Sequence, residues 1–172
     1  MTPAFALPAT VALASDRDRE REFEEAVDRE GRRLYALALS VLGDVAEAQD
    51  AVQETMVQAW RDWDGLRDQA RRAAWLATIC VRTCLRHRRR LRRRLGSVVL
   101  LGEHAALPST SGMELIDACR RLSPRQRAVV ILHYLYGYSL DECGPILGCR
   151  PGTVRPHLRR ALEKLRTEYA DD

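Results

Sequence analysis

The sequence predicts an all-α protein made of two small helical domains joined by a flexible linker. Three observations predict it. Apolar residues recur at three- and four-residue spacing through most of the chain, as on one face of a helix. Val and Ile are scattered and rarely alternate with polar residues, so no segment reads as a strand. Between the periodic stretches stand helix stop and start signals such as Gly43-Asp44, Ser123-Pro124 and Ser139. At 172 residues the chain can form two modules, each of about 70 residues with a small core that gains from packing on a partner.

Residues 1–15 are rich in Ala, Pro and Thr without a helical period, and a disordered extension is expected over 1–19. The first domain is expected over 20–95. Phe23, Val27, Leu34, Ala38 and Leu42 form the stripe of its first helix, which Gly43-Asp44 ends. Val45, Ala48, Val52, Met56, Trp60 and Trp63 form the stripe of the second, which Trp63-Asp-Gly65 ends. A third helix starts near Arg71 with Trp75, Leu76, Ile79 and Thr83 inward, and runs into Arg86–Arg94. Residues 96–112, with Pro108-Ser-Thr-Ser, read as the linker.

The second domain is expected over 113–172. A helix from about Met113 to Leu122 opens it. Ser123 is a good N-cap, and Pro124 suits the first helical position. Ser139 caps the next helix, and Asp141 and Glu142 in its first turn favour the helix dipole. The last helix turns Val154, Leu158, Ala161, Leu162 and Leu165 inward and Arg155, His157, Arg159, Arg160 and Lys164 outward. Helix, turn, helix, Gly-containing turn, helix is the layout of a helix-turn-helix DNA reader.

The net charge of +4 conceals an uneven distribution. Residues 1–64 hold 14 acidic and 7 basic side chains, whereas residues 65–102 hold 11 Arg against one Asp. Seven of the nine residues in Arg86–Arg94 are Arg. Such a block on an amphipathic helix suits nucleic acid, and the acidic half suits a basic protein surface. No signal peptide or membrane-spanning apolar run is visible, so a cytoplasmic chain with reduced thiols is expected. Cys80 and Cys84 fall in an apolar stripe and read as small hydrophobes. No catalytic triad, metal cluster or phosphate loop is legible, so neither a cofactor nor enzymatic activity is expected.

Two segments together resemble a bacterial RNA polymerase sigma factor of the extracytoplasmic-function class. The first comprises Leu34-Tyr35, Gly43-Asp44, Ala48-Gln-Asp-Ala-Val-Gln-Glu54, Ala59-Trp60 and Trp75-Leu76, and is similar to region two of that family. The second, Leu122-Ser-Pro-Arg-Gln-Arg through Arg166, resembles region four. The resemblance implies a factor that binds core polymerase, directs it to promoters and aids melting of the minus-ten element. It implies that Asp50, Gln53 and Glu54 dock on the clamp helices of the largest subunit, with region four on the β-subunit flap. An anti-sigma factor is a further partner the family admits.

By the same resemblance, the stretch from Trp63 to Trp75 captures an unstacked minus-ten base, with Trp75 equally readable as core. Arg71, Arg72, Arg82, Arg86, Arg88, Arg89 and Arg90 are expected to meet DNA, chiefly at phosphates, which set position and salt-dependent affinity. Arg155, His157, Arg159 and Arg160 read the minus-thirty-five element, where Arg takes guanine bidentately, and Thr153 caps the helix or touches phosphate.

The chain departs from the family pattern at Arg82, usually Asn, at Arg150, usually a Ser cap, and at Pro145 and Pro156. Pro156 is acceptable if the recognition helix starts at Thr153, because the first turn needs no donor. Pro145 is expected to kink its helix. With only a short tail before Asp172, no accessory domain is expected. Two other readings compete: a stand-alone dimeric helix-turn-helix regulator, and a protein-binding module whose DNA reading has degenerated.

Overall fold

The computed structural model describes residues 9–66, 68–95, 118–150 and 152–169. Among them there is no strand, and the main helices are α1 (Ala9–Leu42), α2 (Val45–Arg61), α3 (Arg72–Leu95), α4 (Pro124–Val130), α5 (Leu140–Leu147) and α6 (Val154–Tyr169). The expected linker 96–112 and the helix expected from Met113 lie outside the described residues, except that residues Cys119–Arg121 form a 3-10 turn.

Helices α1, α2 and α3 pack as a three-helix unit. Leu34, Leu37, Val41, Ala48, Ala51, Leu76, Cys80 and Val81 are buried at its centre. Small residues on α2, with Ala48, Ala51 and Ala59 fully buried, let the three axes approach closely. Two of the hydroxyls buried there are satisfied locally. Ser40 Oγ donates to the Leu37 carbonyl at 2.8 Å and Thr55 Oγ1 to the Ala51 carbonyl at 2.6 Å. Gly43 adopts φ 80° between α1 and α2, a left-handed step that suits a residue without Cβ. Asp44 then caps α2 by accepting from the Glu47 amide at 2.9 Å.

The expected disorder over 1–19 does not hold for 9–19, where α1 is already helical. The reason lies in tertiary contacts that periodicity does not reveal. Arg19 donates to the Trp60 carbonyl at 2.7 Å, pairs with Asp64 at 3.0 Å and lies 4.1 Å over the Trp60 ring. Arg19, ten residues into α1, is thereby tied to the end of α2.

In the second module both predicted Ser caps form reciprocal capping boxes, Ser123 with Gln126 and Ser139 with Glu142. After α4 the backbone widens into a π turn over Ile131–Leu135, in which the Tyr136 amide reaches the Ile131 carbonyl. Arg127 is buried, and its guanidinium donates to the carbonyls of Cys119 at 2.8 Å and Leu122 at 3.0 Å, closing the turn before α4. Helix α5 runs through Pro145. The donor that proline lacks would have served the Asp141 carbonyl, and both residues are exposed, so water can take that place. Gly148 ends α5 at φ 59°. Helix α6 begins at Val154, with the Thr153 carbonyl accepting its first bond from His157. Pro156 therefore falls in the first turn, where its missing donor is not needed.

The modules are not separate in space. One core runs through both, from Leu37 and Ile79 to Val129, Ile131 and Leu147. Tyr136 is packed near Glu30 and Arg33 of α1, and burial foremost pushes its phenol well above the usual tyrosine range.

Candidate nucleic-acid and polymerase interfaces

Helix α2 presents Asp50 and Gln53 to solvent, whereas Glu54 is half-buried against α3. Glu54 accepts from Arg86 at 2.6 Å and meets His87 Nε2 at 2.8 Å, while His87 Nδ1 meets Glu47 at 3.1 Å. The His87 contact foremost, opposed by burial and assisted by Arg86, holds the Glu54 carboxyl below its usual range. Asp50 and Gln53 thus form an exposed pair beside a carboxylate already engaged within the bundle.

In the turn after α2, Trp63 is only 6% exposed. Its ring lies edge-on to Phe23 at 5.0 Å and to Trp75 at 6.0 Å, with the Arg72 guanidinium 4.8 Å over it. Arg72 also reaches Glu22 at 3.5 Å. Trp63, Arg72 and Trp75 therefore form one packed stack. It borders a cleft of about 520 Å³ lined by Asp18, Arg19, Glu22, Asp64 and Leu66. Trp75 is half-buried and packs against the core. Trp63 and Arg72 are more enclosed than a freely offered stacking platform.

Along α3 the arginines divide by environment. Arg82, Arg89 and Arg90 are exposed. Arg86 is bound to Glu54 and also donates to Thr83 at 3.2 Å. Arg88 donates to the Val41 carbonyl at 3.2 Å. Arg71 is exposed but pairs with Glu142 of the second module at 3.3 Å and lies 5.5 Å over the Tyr138 ring. Helical period placed these residues on one element. It could not separate the engaged arginines from the free-standing ones, because their partners lie tens of residues away.

On α6, Arg155, Arg159 and Arg160 are exposed, with Arg159 reaching Glu163 at 3.6 Å. The Thr153 hydroxyl donates to the Arg150 carbonyl at 2.7 Å, so it closes the preceding turn rather than capping the helix amides. His157 is half-buried. Burial foremost, then Arg125 and Arg160, lowers its pKa. It shares a second cleft of about 290 Å³ with Leu85, Arg88, Arg89, Ser123, Pro124 and Arg125.

Comparison with known proteins accounts for this arrangement of two acidic helices, an arginine-rich third helix and a helix-turn-helix. Residues 26–94 match the Sigma-70 region 2 family and residues 112–165 match Sigma-70, region 4. The chain is 33% identical over 150 residues to the ECF RNA polymerase sigma factor SigL of Mycobacterium tuberculosis, covering 81% of this chain and 84% of that protein. This chain belongs to the extracytoplasmic-function sigma factors. It directs RNA polymerase to promoters in transcription initiation. The sigma factor is also 31% identical over 151 residues to the RNA polymerase sigma-E factor of Streptomyces avermitilis, covering 86% of this chain and 84% of that one. Among solved structures, the sigma factor RpoE of Bartonella quintana, crystallised with the anti-sigma factor NepR, superposes with a TM-score of 0.67 at 26% identity. That match covers 91% of this sigma factor and 99% of RpoE. No described helix is long and apolar enough to cross a membrane.

Proposed function

We propose how this sigma factor distributes its work over its residues. Asp50 and Gln53 form the exposed centre of the surface that docks on the clamp helices of the largest polymerase subunit. Glu54 acts mainly by holding α2 to α3 beneath that surface. The second module sits on the β-subunit flap. Arg82, Arg89 and Arg90, with Arg71 when it is released from Glu142, hold promoter phosphates. Trp63, Leu66 and Arg72 wall the cleft beside which a minus-ten base leaves the stack. Arg155, Arg159 and Arg160 read the minus-thirty-five element from the major groove, with His157 at the edge of that face.

The observation that carries this reading is the separation of exposed charge: cations on α3 and α6, an acidic and amide pair on α2. Its chemistry is binding alone. The factor works in the cytoplasm with core polymerase, without cofactor or catalytic step, and an anti-sigma factor that engages both modules would regulate it.

The test is a core-binding titration with promoter-dependent transcription. Asp50→Lys with Gln53→Ala should weaken core binding at least tenfold while leaving the helical circular dichroism intact. Unchanged core affinity would remove the docking assignment. A tight palindromic footprint by the free chain at physiological salt would instead favour a dimeric regulator.

A further inference from the structure

Arginines that sit between helices of this chain are mostly met by carboxylates. Arg19 meets Asp64, Arg72 meets Glu22, Arg86 meets Glu54 and Arg71 meets Glu142. The cleft between the second half of α3 and the first turns of α4 and α6 breaks that rule. Arg88 and Arg89 of α3 face Arg125 of α4 and His157 of α6 across about 290 Å³, with Leu85, Ser123 and Pro124 completing the wall. Among the described residues no carboxylate lines it. Neither Arg89 nor Arg125 makes an ion pair among them.

The cations are placed there by their own surroundings. Arg88 donates to the Val41 carbonyl at 3.2 Å, which fixes its head at one side of the cleft. A Cβ at Gly148 would stand 3.7 Å from Arg89 Nη2, so the Arg89 guanidinium lies against the turn that ends α5. The Ser123 hydroxyl accepts from the Gln126 amide at 3.4 Å and keeps its own proton to donate. His157 responds to the positive field around it: burial foremost, then Arg125 and Arg160, lowers its pKa.

One sign of charge in a cleft with apolar walls focuses the field and concentrates counter-ions. Leu85 and Pro124 supply those walls. The chemistry of the cations narrows the counter-ion further. A guanidinium offers a planar fork of donors that fits phosphate oxygens two at a time. A single carboxylate brings one charge against three guanidiniums. Linked phosphates bring several charges, with acceptor oxygens directed to both sides of the cleft. The volume lies at the small end of ligand sites, about 300–1,000 Å³, and suits a compact anion.

We propose that this cleft is a binding site for a small, diffusible oligophosphate: Arg88 and Arg89 from one side and Arg125 from the other clamp its phosphate oxygens, with Ser123 and His157 donating at the edge. The site goes beyond the promoter and polymerase surfaces and does not depend on their assignment. An anion held from three helices ties α3 to α4 and α6, so its binding stabilises the folded chain.

The test uses the full chain and inorganic pyrophosphate, titrated by calorimetry at fixed ionic strength. Sulfate at the same ionic strength is the reference, because screened surface charge responds to ionic strength alone. A second readout is the ring-proton resonance of His157, assigned by its disappearance in His157→Gln. The variants are Arg125→Ala, Arg125→Lys and, as a control cation outside the cleft, Arg166→Ala. Arg125 and Arg166 are both exposed, so circular dichroism should show the helices intact in each.

Pyrophosphate should bind at a single site about tenfold or more tighter than sulfate, and Arg125→Ala should weaken it about tenfold or more. Arg125→Lys, which keeps the charge without the fork, should lose less than Arg125→Ala. Arg166→Ala should stay within about twofold of wild type. The His157 resonance should move with pyrophosphate in the wild-type chain. Binding no tighter than sulfate, or an unmoved His157 resonance at saturation, would overturn the site. Equal losses in Arg125→Ala and Arg166→Ala would reduce it to diffuse surface charge. Duplex DNA binding that depends on Arg125, with pyrophosphate binding that does not, would give the cluster to the DNA backbone and overturn the proposal.

Discussion

Replacing Glu54 by Ala should cost the fold more than replacing Asp50, although both lie on one side of α2. Glu54 joins α2 to α3 through Arg86 at 2.6 Å and His87 at 2.8 Å, whereas Asp50 stands exposed. The Arg86 and Glu54 side chains are 42% and 39% exposed, so solvent screening keeps that pair to about 0.2–1 kcal/mol. His87 is only 11% exposed, and its hydrogen bond to a charged acceptor adds about 1.5 kcal/mol, the low end for a charged group because Glu54 is partly exposed. Arg86 retains Thr83 and His87 retains Glu47 after the substitution, which limits the loss. The expected destabilisation is therefore about 1–2 kcal/mol, against less than about 0.5 kcal/mol for Asp50→Ala.

For a chain of this length such a loss lowers Tm by about 2–8 °C, read by circular dichroism at pH 7. The pH dependence has a definite sign. The folded carboxyl titrates below its reference value of 4.5, so its stabilisation is present above that pH. It disappears as pH falls through the folded value, and wild type and Glu54→Ala should converge there. The reasoning is refuted if Glu54→Ala melts with Asp50→Ala at pH 7 while losing core affinity to the same extent. Glu54 would then act only at the polymerase surface.

Two further outcomes follow from the geometry. Arg160→Ala should cost about 1–3 kcal/mol on a matched minus-thirty-five element if that side chain makes a bidentate base contact, and should relax selectivity at one position; Arg90→Ala should weaken all sequences alike and flatten the salt dependence, as filter binding over a salt series would show. Ser123→Ala removes the capping box ahead of α4, where the Gln126 amide donates to Ser123 and the Ser123 amide to Gln126, and should lower stability by about 1 kcal/mol in denaturant titration, with Ser123→Asp recovering most of it.

Local signals in the sequence were enough for the helices and most of their ends. Gly43-Asp44, Ser123-Pro124 and Ser139 each act within four residues, through backbone conformation or a cap, so their effect is readable without knowing the fold. The start of the recognition helix was legible for the same reason: a proline tolerates only a few positions, and the first turn is one of them. The family motifs likewise placed both modules and the order of their helices.

What depended on long-range pairing was not legible. The anchoring of α1 at Arg19 needs that side chain to find Trp60 and Asp64. Which of Asp50, Gln53 and Glu54 is free depends on His87, 33 residues beyond Glu54. The division of the arginines into engaged and exposed follows from Glu22, Glu54, the Val41 carbonyl and Glu142, none of which a helical period can point to. The hydrogen bond between Thr78 and Tyr138 spans 60 residues. Periodicity reports which face of a helix is apolar. Only the packing of the faces decides what each charged or aromatic side chain meets, because that partner is set by the distances between helices and not by spacing along one of them.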